Sequence, residues 1–133
     1  MSQSVFRGSD IRGKYPEEIN EEFFKQLGEF FAGFFADGEI VICHDGRTSS
    51  PSLAKSLCDG LKESALKNGK NFKIEFAGLG TTPMFYFLCK KYSVSGGIMV
   101  TASHNPKDEN GLIVMGGEGK LISGEKIGNL FKT

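Results

Sequence analysis

Three short apolar runs, Glu39 to His44 (EIVICH), Phe72 to Phe76 and Gly97 to Val100, alternate with stretches of helical periodicity. That alternation constrains the fold more than any other feature of the chain. Runs of this length and residue type suit buried strands. Strands joined through a helix must cross over, so they lie parallel in one sheet with helices packed on it. The ends of both crossover helices are marked. Ser50-Pro51 reads as an N-cap followed by proline at the first helical position, and Leu53, Leu57, Leu61 and Ala65 then share one face until Gly69. Thr82-Pro83 opens the second helix, which runs to about Tyr92.

The flanking segments complete a domain. From Pro16 to Ala36, the residues Ile19, Phe23, Phe24, Leu27, Phe30, Phe31, Phe34 and Phe35 keep to one helical face. Glu17, Glu18, Glu21 and Glu22 sit at the end of that helix where negative charge is favourable. Beyond a polar loop from Thr101 to Gly111, Leu112 to Met115 reads as a strand. Gly116-Gly117-Glu118-Gly119 turns the chain, Lys120 to Ile122 returns it, and Ser123 caps a last helix. The expectation is one α/β domain over residues 1–133, in three layers (α/β/α), with a mixed, mainly parallel four-stranded sheet.

A chain of 133 residues can bury a core without a metal or a disulfide to hold it. Sixteen Lys and Arg balance sixteen Asp and Glu, so nothing in the charge argues for nucleic acid or an anionic membrane as partner. Cys43, Cys58 and Cys89 are an odd number without CxxC spacing and read as reduced, buried thiols. The N-terminus MSQSVFRGSD has no apolar signal region, and no run reaches transmembrane length. The compartment expected is the cytoplasm.

Ligands of open parallel sheets bind beyond the carboxyl ends of the strands. Three polar loops fall there: Asp45 to Ser50, Gly78 to Thr82, and Thr101 to Gly111. The third carries a hydroxyl nucleophile (Ser103), a proton carrier (His104) and an amide (Asn105), followed by Pro106. On residue types alone, turn chemistry and a functional site are equally good readings of this loop. A serine hydrolase is a poor one, because the chain has no GxSxG elbow and adjacent residues such as Ser103 and His104 seldom aim at each other. A zinc site from His44, His104 and a cysteine has no supporting spacing. Asp45 and Arg47 read first as a pair that fixes their own turn, Thr81 and Thr82 as helix caps, and Lys90-Lys91 as a solvated helix end.

Five ordered segments carry a resemblance: FRGSDIRGKYPEEINEEF, HDGRTSSPSLAKSLCDGL, GLGTTP, GGIMVTASHNPKDENG and the closing LISGE. Together they resemble the N-terminal, catalytic-serine domain of the α-D-phosphohexomutases in its phosphomannomutase/phosphoglucomutase form. The resemblance implies the first domain of a longer multidomain enzyme that interconverts hexose 1-phosphate and 6-phosphate through a bisphosphorylated sugar. Ser103 would carry the transferable phosphate and, through it, contact Mg²⁺. Arg12 would act at the reacting region, Arg7 would order the same segment, and His104 and Asn105 would shape the loop and bind substrate. A hexose bisphosphate would be the activator, a phosphosugar and the downstream domains the partners.

The metal-binding DGDxDR-type loop of that family has no counterpart in these 133 residues, so the chain alone is expected to be inactive. Two positions depart from the family pattern. Ser9 replaces a tyrosine, and Ile113 stands where the NG-x-K motif has a lysine. The second departure leaves a further reading open, a non-catalytic domain that binds a phosphosugar or a protein partner. It also suggests low turnover that restoring lysine would raise.

Overall fold

The computed structural model describes residues 5–132; residues 1–4 and 133, part of the single domain expected over 1–133, lie outside the described residues. The chain runs β1 (Ile11–Lys14), α1 (Glu21–Phe34), β2 (Gly38–His44), α2 (Ser50–Lys67), β3 (Phe72–Leu79), α3 (Thr82–Lys91), β4 (Gly96–Val100), β5 (Glu109–Gly116), β6 (Leu121–Ile122) and α4 (Gly124–Phe131). One mixed sheet has the order β1-β5-β4-β2-β3, with β6 also paired to β5. The β2–β3 and β2–β4 pairs are parallel, as the crossovers require. The β4–β5, β1–β5 and β5–β6 pairs are antiparallel.

Side chains alternate across the sheet and so split the core in two. Ile40, Ile42, Ile98, Val100, Leu112 and Val114 face the layer holding α1, α2 and α4. Val41, Cys43, Met99, Ile113 and Met115 face Phe85 and Cys89 of α3. This is the expected three-layer arrangement. Most of the aromatic stripe of α1 is buried: Phe23, Phe24 and Phe31 are almost fully enclosed, and Phe23 and Phe30 meet Phe131 of α4 edge-on.

Three details differ from the sequence reading. The sheet has six strands rather than four, and its antiparallel pairings outnumber the parallel ones. Of the two strands beyond four, β6 is the short return run Leu121–Ile122, and β1 is only IRGK, with one apolar residue, so it carries no periodic signal. It forms because Gly111 lets it lie close: a Cβ at Gly111 would collide with the Ile11 carbonyl oxygen. Helix α1 begins at Glu21 rather than near Pro16, because the Asn20 side chain accepts from Phe23 N at 2.9 Å and caps it there. Finally, Ser49, not Ser50, is the cap residue of α2, and its side chain makes no capping bond. The Ser50 hydroxyl donates instead to a carboxylate, a stronger acceptor than it would find among backbone groups.

The expected cap at the start of α3 is present. Thr81 Oγ1 accepts from Met84 N at 3.2 Å, and Thr82 is the first helical residue. Thr81→Ala should therefore cost about 1 kcal/mol in chemical denaturation and leave ligand binding unchanged. A binding defect without loss of stability would assign Thr81 to ligand contact instead.

Candidate functional site

The parallel strands β2 and β4 end side by side, and the loops that follow them form the candidate site. Asp45 N donates to Val100 O at 3.0 Å, and Thr101 N donates to Gly111 O at 2.9 Å, so the two loops leave the sheet in register. Ser103 sits at the tip of the β4–β5 loop, exposed, with its backbone at φ +56°. That left-handed conformation is uncommon for a non-glycine residue and requires the surroundings to enforce it.

The surroundings do so from two sides. Beneath the loop runs a chain of buried and half-buried hydrogen bonds. Asn110, fully buried, donates through Nδ2 to Ser49 Oγ at 2.8 Å and Ser50 Oγ at 2.9 Å. Ser50 Oγ donates to Asp45 Oδ1 at 2.5 Å, and Thr101 Oγ1 donates to Asp45 Oδ2 at 2.6 Å. Thr101 Oγ1 in turn accepts from Ser103 N at 2.9 Å. Asp45 is thus linked to the backbone of Ser103 through one hydroxyl. Burial works against the charge of Asp45, but the bonds from Ser50, Thr101 and the Arg47 amide, with the Arg47 charge, outweigh it and hold its carboxyl below the usual value.

From the side, Arg47 reaches across the loop. Its Nη1 donates to Pro106 O at 2.7 Å and Glu109 O at 3.2 Å. Its Nη2 donates to Ser103 O at 2.9 Å and Asn105 O at 2.8 Å. Nε lies 3.3 Å from Asp45 Oδ2. Beyond the turn it was expected to fix, this arginine is the main brace of the Ser103 loop. The residue types Asp45-Gly46-Arg47 announce a turn, but carbonyl acceptors leave no mark in a sequence, so the brace was not visible there. Asn110 was missed for a similar reason, as one amide in a loop rich in polar residues.

Arg12 of β1 approaches from the opposite flank. Its Nη1 donates to Asn105 Oδ1 at 2.8 Å, while Asn105 Nδ2 donates to Glu109 Oε1 at 2.7 Å. Arg12 Nε stands 3.4 Å from Asp10 Oδ1, both atoms buried and neither hydrogen-bonded. Burial raises the Asp10 pKa, against the lowering effect of the Arg12 and Arg7 charges. Arg12 is thus tied to Asn105, two residues along the loop from Ser103. His104 is next to them and exposed. The Arg7 side chain is exposed, and its backbone ties the segment down by donating from N to Asp10 O at 2.8 Å and accepting from Glu125 N at 2.9 Å. Gly46, Arg47, Thr48, Asn105 and Lys107 line an open pocket of about 430 Å³ beside the loop.

Other nucleophiles are weak. The three cysteines are free and buried; burial pushes the Cys43 thiol up to about 11 and the Cys89 thiol to about 12. Thiols so shifted hold almost no thiolate at neutral pH. Among the described residues, no three His, Cys, Asp or Glu side chains gather as metal ligands. Among the described residues, no helix is long and apolar enough to cross a membrane.

Residues 3–133 match the family model described as phosphoglucomutase/phosphomannomutase, alpha/beta/alpha domain I. The chain belongs to that family. Among curated relatives, a phosphohexose mutase of Xanthomonas campestris is 35% identical over 94% of this chain and 27% of its own length. A phosphomannomutase of Escherichia coli is 37% identical over 92% of this chain and 25% of its own. A phosphoglucosamine mutase of Prochlorococcus marinus is 38% identical over 92% and 26%. The chain thus spans about a quarter of the length of these relatives. A family protein from Burkholderia thailandensis superposes with a TM-score of 0.81 at 30% identity, over 99% of this chain and 30% of that one.

Proposed function

We propose that this chain is the phosphoserine domain of a phosphohexomutase and that Ser103 is the residue phosphorylated. The observation that supports this best is the exposed Ser103 hydroxyl, carried on a left-handed residue at the carboxyl edge of the sheet and braced on both flanks, in a chain of this family. In the proposed reaction, a sugar hydroxyl attacks the Ser103 phosphate. The Oγ–P bond breaks as the new P–O bond forms, the hydroxyl proton is released, and the sugar becomes a bisphosphate. Return of the other phosphate to Ser103 completes the exchange of hexose 1-phosphate and 6-phosphate.

Phosphoryl transfer depends mainly on positioning and on neutralising oxygen charge. Arg12, tethered to Asn105, supplies fixed positive charge on one flank of the loop. His104 and Asn105 frame the serine, and Arg7 adds charge to the Asp10–Arg12 segment. The described residues do not form a Mg²⁺ site by themselves, since Ser103 and its phosphate would offer oxygen from one side only. Other ligands, like the remaining sugar contacts, would come from the parts of the relatives that this chain does not span. These 133 residues alone should accordingly show no mutase turnover, and the cytoplasm is the compartment that fits three buried free thiols.

The test is to incubate the chain, and separately the whole protein that carries it, with glucose 1,6-bisphosphate or mannose 1,6-bisphosphate and measure intact mass. One phosphoryl group should be gained on Ser103 in the whole protein and none in Ser103→Ala. Wild type that takes no phosphate sinks the enzymatic reading. One observation favours a second reading: Ile113 is buried in the α3-side core. A non-catalytic domain would bind a hexose phosphate or a protein without ever becoming phosphorylated.

A further inference from the structure

We infer that Arg47 is the positioning residue of the phosphoryl-transfer loop, not a phosphate ligand: its guanidinium is consumed in holding Ser103 in its left-handed conformation. The inference rests on the phosphoserine reading for its kinetic consequence, but its structural content stands apart from it.

The argument is one of donor capacity. A guanidinium has five N–H groups in a rigid planar fork and no acceptor. Here the four N–H groups of Nη1 and Nη2 go to the carbonyls of Ser103, Asn105, Pro106 and Glu109, and Nε stands 3.3 Å from Asp45 Oδ2 in an ion pair. The terminal N–H groups are all taken, and the remaining one faces a carboxylate that would repel a phosphate oxygen. An arginine at the mouth of a phosphosugar pocket would ordinarily be read as an anion ligand, and Arg47 lines the pocket beside the loop. Its bonding excludes that role.

What it does instead follows from where the four carbonyls lie. They belong to Ser103 and to Asn105, Pro106 and Glu109 after it, so one planar group holds Ser103 against the returning backbone of the loop. Ser103 is the first of them, with its carbonyl held by Arg47 and its amide held by Thr101 Oγ1. Clamping N–H and C=O of the same residue sets its φ and ψ together. Asp45 completes the device, since it accepts from Thr101 and pairs with Arg47. A lysine could not substitute. Its single ammonium has three donors on one point and cannot span four carbonyls spread from Ser103 to Glu109.

The experiment compares wild type with Arg47→Lys and Arg47→Met, with folding checked by melting. Arg47→Lys keeps a cation beside Asp45 and guards against simple misfolding of the Met variant. In the whole protein, the rate at which Ser103 gains phosphate from glucose 1,6-bisphosphate is measured by intact mass over a range of concentrations. The maximal rate per folded molecule should fall on the order of 100-fold in both variants, the usual scale for a misplaced reacting group. The half-saturating concentration should stay unchanged. A raised half-saturating concentration with an unchanged maximal rate would make Arg47 a ligand and overturn the inference, as would no change in either. A wild type that is never phosphorylated removes the enzymatic reading alone. The backbone chemical shifts of Ser103 then decide in the chain of 133 residues. They should report a left-handed residue in wild type and lose that signature in Arg47→Lys, and its persistence would count against the clamp.

Discussion

Asp45→Ala is expected to destabilise the domain by about 3 kcal/mol, lowering the melting midpoint by roughly 10 °C. The carboxylate accepts from Ser50 Oγ, Thr101 Oγ1 and the Arg47 amide, and pairs with the Arg47 guanidinium. Alanine would leave two hydroxyls without their acceptor and a largely enclosed cation without its counter-charge, which costs more than the bonds themselves are worth. The sign of the pH dependence follows from the lowered pKa. The folded state binds this proton less readily than the unfolded state, so the stabilisation is complete above the ordinary value of 3.8 and is lost as pH falls through the lower folded value. Asp10 acts in the opposite sense, because burial raises its carboxyl: its protonation favours the fold as pH falls through the raised value. Urea melts across the acid range should therefore show a shallower acid limb for Asp45→Asn than for wild type, and a steeper one for Asp10→Asn. An unaltered limb in Asp45→Asn would mean that the Asp45 network holds no charge worth protecting.

The contrast between what could be read in the sequence and what could not has a physical basis. Strands β2 to β5, helices α2 and α3 and the cap of α4 were legible because burial imposes period, and caps and turns demand particular residues. Strand β1 was not, because its place depends on a glycine one hundred residues away in β5, a relation that no local pattern encodes. The site divided in the same way. Ser103, His104, Asn105 and Arg12 stand out through side-chain chemistry set in recognisable segments. Arg47 and Asn110 act on backbone atoms and on hydroxyls of α2, so their importance lies in distances rather than in residue types. Ser50 shows the cost of reading locally: as a cap it would serve α2, whereas it joins Asn110 to Asp45 and so serves the loop.

Ile113→Lys is expected to cost about 3 kcal/mol and to bring no gain in the rate of Ser103 phosphorylation. The resemblance drawn from the sequence implied a lysine at this position, and on that reading its restoration promised a faster enzyme. The structure gives the side chain another occupation. Ile113 is 9% exposed and shares the α3-side core with Val41, Cys43, Phe85, Cys89, Met99 and Met115. It pairs with Met99 in β4, whereas the loop departs at Thr101, two residues further along the strand and roughly 7 Å away. A lysine stem would have to lie flat through this cluster to bring its ammonium to the edge. Leaving the ammonium inside would depress its pKa and sacrifice the packing of a β-branched residue. Melting and intact-mass kinetics on the whole protein test both halves. An unchanged midpoint together with faster phosphorylation would show that the ammonium emerges beside Ser103 and that the apolar core tolerates it. A lower midpoint with an unchanged rate per folded molecule would establish that, in this chain, the position has passed from chemistry to core.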